Sequence, residues 1–237
     1  YTPLQRFLVT GLAGMAGGAL AGLMGGLLYG LAAALGSNSG GGAMSALLVL
    51  WLLTMLLATI GAAGVGFGIA AGDFVKRQGL LATLSGAAAG GLAVGAFARI
   101  VGIDAFNLLF GVPPLEFTGA AEGAALGAAA GLSLWLVRRR SASIASPGTM
   151  ACPAVIGLLA GVAISLSGGK LLGGSLDALT QQFGQSGLNL DPWGAMLGEA
   201  GFGPLSEAIS AALEAMLFCV CLSIVIARAE RRWTAAA

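Results

Sequence analysis

Histidine is absent from this chain of 237 residues. That removes the usual ligand of haem, chlorophyll, copper and catalytic zinc, and the usual general base. Charge is nearly as scarce. Asp, Glu, Lys and Arg make up 9% of the residues, against about 25% in soluble domains, and residues 7–72 carry none. A net charge of +1 offers nucleic acid no attraction, so none is expected as a partner. The cysteines are Cys152, Cys219 and Cys221. The last two point to nearly opposite sides of one helix, so neither a disulfide framework nor a metal site is expected. No small-residue cleavage site follows a short apolar stretch, and no signal peptide is expected. The glycines lack the strand, loop and lysine of a phosphate-binding loop. Without histidine a serine–base or metal arrangement is hard to assemble and no spacing suggests an aspartyl dyad, so neither an enzyme nor a cofactor is expected.

What the chain has is apolar length and glycine. Hydrophobic residues reach 57%, and there are 41 glycines. Gly14, Gly18, Gly22, Gly26 and Gly30 recur every fourth residue, as do Gly119, Gly123, Gly127 and Gly131. In water each glycine would cost a helix about 1 kcal/mol relative to alanine. In a bilayer the backbone has no alternative partners, and such a stripe becomes a face for close helix packing. The bilayer is therefore the expected surrounding. The predicted fold is an all-α integral membrane protein of six transmembrane helices, with glycine-zipper packing and short amphipathic helices in the external loops.

The six spans fall at about 7–35, 43–71, 79–100, 114–137, 150–167 and 204–227. They form one transmembrane domain over 1–237, built as three hairpins at about 7–75, 79–140 and 150–232. Arg6, Lys76, Arg77, Arg138, Arg139, Arg140, Arg228, Arg231 and Arg232 all fall at alternate connections or termini, and only Arg99 and Lys170 fall at the others. By the positive-inside pattern both termini are cytoplasmic, as in a bacterial inner-membrane protein. Of the ten acids, only Asp73 and Glu230 lie on the basic side. Tyr29, Trp135 and Trp233 read as interfacial anchors. In the external connections, Asp104 is expected to cap a short turn over 105–110. Short surface helices are expected over 176–183 and 193–197.

The second and third hairpins read as an internal repeat. A slide of 92 residues lays Phe110-Gly111 on Phe202-Gly203, Thr118 on Ser210, Glu122 on Glu214 and Arg139-Arg140 on Arg231-Arg232. Glu214 falls about ten residues into the last span, near the middle of a hydrocarbon layer ~30 Å thick. Glu122 falls about eight residues into a helix begun at Pro114. A carboxylate at that depth must face protein, water or a ligand. Thr118 and Ser210 each precede their glutamate by one turn and share its face, and Glu207 lies two turns before Glu214. These five form the candidate ion or substrate site. Arg99 and Lys170 are its candidate ion-pair partners.

Two functions remain open from this. One is a channel, transporter or transport subunit passing a cation or small solute along the intramembrane carboxylates. The other is a non-catalytic accessory subunit in a larger membrane complex. Other membrane subunits or copies of the chain itself are the expected partners.

Overall fold

The computed structural model describes residues 2–36, 42–75, 79–111, 119–140, 147–182 and 190–235. Among them there are helices and no strands: α1 (Pro3–Gly36), α2 (Gly42–Val75), α3 (Leu80–Phe110), α4 (Ala120–Arg139), α5 (Pro147–Leu166), α6 (Leu172–Gln182), α7 (Asp191–Met196) and α8 (Pro204–Ala235). Six of these, α1–α5 and α8, are long and apolar enough to cross a membrane. Large apolar side chains point outward along them. On α2, Leu48, Leu52 and Leu56 are 44%, 60% and 56% exposed at four-residue spacing, a face that only an apolar solvent would accept.

The small residues lie where backbones meet. A Cβ on Gly14 of α1 would stand 2.9 Å from the Gly66 Cα of α2, and one on Gly26 would stand 2.9 Å from the Trp51 Cα. The same closeness joins Gly68 and Gly86 of α2 and α3, and Gly91 and Gly123 of α3 and α4. Gly157 of α5 lies against Met216 of α8, and Gly17 of α1 against Leu222 of α8. These contacts join α1 to α2, α2 to α3, α3 to α4, α5 to α8 and α1 to α8. α8 is the most enclosed of the six. Its Leu222 and Ile226 are fully buried beside Ile69, Leu134 and Val137.

Several boundaries differ from the sequence reading: α6 begins at Leu172 rather than 176, and α8 runs to Ala235 rather than 227. Gly102 does not end the third span. α3 continues through it to Phe110 and stops at Gly111, whose φ of 70° lets its N–H donate to the Asn107 carbonyl at 2.9 Å. Asp104 is therefore inside the helix and caps nothing. A left-handed residue terminates a helix more sharply than a glycine in helical geometry weakens one. The fourth helix begins at Ala120 rather than Pro114. Residues 112–118 lie outside the described part.

The end of α5 sets the course of the segment after it. Gly168, at φ 80°, lets the Gly169 N–H donate to the Ile164 carbonyl at 2.9 Å and the Gly168 N–H to the Ser165 carbonyl at 3.0 Å. These close the helix as a left-handed glycine cap. The chain then turns back along α8, and α6 begins at Leu172.

Candidate functional site

Ser206, Ser210 and Glu214 recur at four-residue spacing along α8. They form a polar stripe on the most enclosed helix, and both serines are at most 2% exposed. The α6 segment packs on this stripe. The Glu214 carboxylate accepts the backbone N–H of Leu172 at 2.8 Å and that of Gly173 at 2.8 Å. It also accepts a hydrogen bond from the hydroxyl of Tyr29 on α1. Leu172 and Gly173 are the first two residues of α6, so their amides have no partner within their own helix. A side chain ten residues into α8, about 15 Å along its axis, thus caps a second helix and meets the positive end of its dipole.

Glycine makes the approach possible. A Cβ on Gly173 would lie 2.6 Å from the Tyr29 hydroxyl oxygen and 3.0 Å from Ser210 Oγ. Ser210 itself donates to the Glu207 carbonyl at 3.0 Å. Above the carboxylate, Tyr29, Leu50, Leu176 and Leu190 form a buried cluster with Leu172 and Phe202 against it. The ring of Trp193 from α7 stands 6.3 Å from that of Tyr29. Trp193 Nε1 is buried without a partner among the described residues.

Farther along α6 the groups are charged. A Cβ on Gly174 would lie 3.1 Å from Glu207 Oε1 and 3.3 Å from the Lys170 stem. Gln181 donates to Asp177 Oδ2 at 2.7 Å. Burial pushes the Asp177 carboxyl above the ordinary range. The charges of Glu207 and Asp191 act the same way, while Lys170 and Gln181 oppose them. At the next connection the Glu199 carboxylate accepts the N–H groups of Leu205 and Ser206 at 3.0 and 2.8 Å, and the Ser206 hydroxyl at 2.5 Å. These bonds hold its carboxyl below the ordinary range and cap α8.

The structure thus brings Glu214, Ser210, Glu207 and Lys170 to one place. It gives Glu122 a different setting. Glu122 is the third residue of α4, and its Oε2 accepts the Gly119 N–H at 3.0 Å. A Cβ on Gly119 would stand 3.0 Å from Arg99 Nη1, and one on Gly169 would stand 2.9 Å from Glu122 Cγ. Glu122 and Arg99 therefore gather at the start of α4 beside the turn that ends α5. Among the described residues no hydrogen bond or ion pair joins Glu122 to Glu214. Thr118 lies outside the described residues.

Two features escaped the sequence. Tyr29, read as an interfacial anchor, is 3% exposed and is a donor to Glu214. At the opposite end of the bundle, Arg138 binds Asp73 Oδ2 at 2.9 Å and Glu230 Oε1 at 2.5 Å. It also donates to Thr83 Oγ1 at 3.4 Å, and Thr10 donates to Glu230 at 3.3 Å. One guanidinium thereby ties α1, α2, α3, α4 and α8 together. The signal was present: Asp73 and Glu230 are the two acids that the sequence reading puts on the same side as its nine basic residues.

Six apolar helices of crossing length point to an integral membrane protein. No known protein family, no curated protein and no solved structure matches the chain.

Proposed function

We propose that this chain is a small transport protein, a channel, transporter or transport subunit, that passes a cation or small solute across a bacterial inner membrane. The observation that carries this reading is the Glu214 carboxylate bonded to the first two amides of α6. Helices that begin inside a bundle are a recurring element of membrane transport sites, and here such a helix start meets an acid. Beside it lie the charged groups Lys170, Asp177 and Glu207, whose two acids suit a cation. At the far end the Arg138 cluster closes the bundle.

In this reading the helices cross the bilayer as three glycine-packed hairpins with cytoplasmic termini. The last two hairpins form a repeat. What supports this is the recurrence, 92 residues on, of Phe110-Gly111, Glu122 and Arg139-Arg140 as Phe202-Gly203, Glu214 and Arg231-Arg232. Glu122, with Thr118, is the corresponding carboxylate of the earlier hairpin.

The test is flux into liposomes reconstituted with the purified chain, read for protons and for sodium. Glu214→Gln and Glu122→Gln should each reduce flux strongly, and Glu214→Gln more so. Full flux in both variants would remove the carboxylates from the path.

A second reading has one observation in its favour. All three donors to Glu214 come from this chain, so the carboxylate serves as a lock without any ligand. That suits an accessory subunit within a larger complex, or one copy of a homo-oligomer. Extraction as a lone, stable monomer would count against it.

A further inference from the structure

We propose that the arginine-rich end of the bundle, where α4, α5 and α8 converge, is a binding surface for the phosphate of an anionic phospholipid headgroup. The proposal rests on the chain being embedded in a bilayer and is independent of transport. Its basis is a local charge imbalance. Among the described residues seven basic side chains belong to this end, Arg6, Arg138, Arg139, Arg140, Arg228, Arg231 and Arg232, and the acids there are Asp73 and Glu230. Arg138, with its side chain only 10% exposed, takes both. Arg139, Arg140, Arg228 and Arg232 are exposed and, among the described residues, have no carboxylate against them.

These arginines are arranged around three helix ends. Arg231 Nη2 donates to the Arg140 carbonyl at 2.8 Å, which joins the ends of α4 and α8. Arg140 reaches α5, donating to the Gly148 carbonyl and, at 2.9 Å, to Cys152 Sγ. The Arg139 guanidinium lies 4.1 Å from the centre of the Trp135 ring, a stacking that holds it in place without neutralising it. Guanidinium groups bind phosphate oxygens two at a time.

The apolar surroundings select the partner. Phe74, Val75 and Leu81 at the same end are 55%, 79% and 74% exposed, and Trp233 is 38% exposed. A phosphate attached to acyl chains satisfies both surfaces, whereas a nucleic acid or an acidic peptide satisfies only the charge. Basic residues beside a membrane attract anionic headgroups in this way.

The experiment uses the full chain in mild detergent with equal phosphatidylglycerol and phosphatidylcholine. Retained lipid is counted by native mass spectrometry. The wild type should retain phosphatidylglycerol selectively. Each of Arg139→Gln, Arg140→Gln and Arg232→Gln should weaken retention by roughly fivefold, and Arg139→Lys should keep most of it. Arg99→Gln, at the opposite end, should change nothing. Equal retention of the two lipids, or unchanged retention in the Arg139→Gln and Arg232→Gln variants, would overturn the proposal. So would displacement of the lipid by millimolar inorganic phosphate, which would mark a general anion site. Because the readout is bound mass, loss of transport cannot mimic any of these results.

Discussion

The hydroxyl of Tyr29 donates to the carboxylate of Glu214 across 185 residues of sequence. The bond ties α1 to α8 at the point where α6 begins. With the amides of Leu172 and Gly173 it gives one carboxylate three donors from two further helices. In all three bonds the carboxyl oxygens are the acceptors.

Removing the phenol should therefore weaken the bundle without collapsing it. A hydrogen bond to a charged group contributes about 1.5–3 kcal/mol. Tyr29→Phe should lower unfolding stability in detergent by about that amount, and Glu214→Gln by more. The glutamine NH2 would face donors where the carboxylate offered only acceptors. Hydrogen exchange at the Leu172 and Gly173 amides should rise in both variants. If exchange there stays at wild-type rates, the carboxylate does not hold α6.

Gly173 gives a steric test of the same contact. Alanine places a methyl 2.6 Å from the Tyr29 hydroxyl oxygen, so the phenol must move away. Gly173→Ala should cost about 1–3 kcal/mol and should raise α6 exchange as Tyr29→Phe does. In the double variant the two costs should not add, since both act through one bond.

The Arg138 cluster predicts an asymmetry between breaking and replacing. Arg138→Met leaves Asp73 and Glu230 facing each other without their shared cation, a loss of about 3–5 kcal/mol. Adding Asp73→Asn and Glu230→Gln removes the stranded charges and should restore much of it. Melting temperatures of the single and triple variants check this. A single variant as stable as wild type would mean that the cluster is not structural.

Glu199 gives a pH dependence with a defined sign. Its carboxyl lies below the ordinary range because Ser206 and Leu205 donate to it. The ionised form therefore favours the folded cap. That contribution is complete above the ordinary carboxyl range and is lost as acid passes through the lowered value. Protection of the Leu205 and Ser206 amides, corrected for intrinsic exchange, should fall in that acid range. Glu199→Gln should remove the dependence.

The site was legible in its acids and not in its partners. Glu214 stood out because a carboxylate deep in an apolar run must be satisfied. Ser210 and Glu207 came from helical spacing. Tyr29 could not be found this way, since its only sequence feature was a position near a helix end, where tyrosine usually faces the headgroups. Glu122 sits shallower than its distance from Pro114 implies, because α4 starts at Ala120. A glutamate in the third position of a helix is commonly a cap for the residue before it. The Arg138 cluster draws on five helices, and no local pattern reports such a meeting.

Apolar runs of about 20 residues and the charged or Ser/Asn/Gly-rich connections between them are enough to define the six helices. Their length against a bilayer and the exclusion of charge from it act residue by residue along the chain. Which carboxylate caps which helix was decided only in three dimensions. The unpaired amides of α6 and the acid that satisfies them come from separate segments. They meet because Gly168 turns the chain back and Gly173 leaves room for the phenol. The tertiary packing chose that pairing because a buried donor or acceptor left alone costs more than the short turn that joins them.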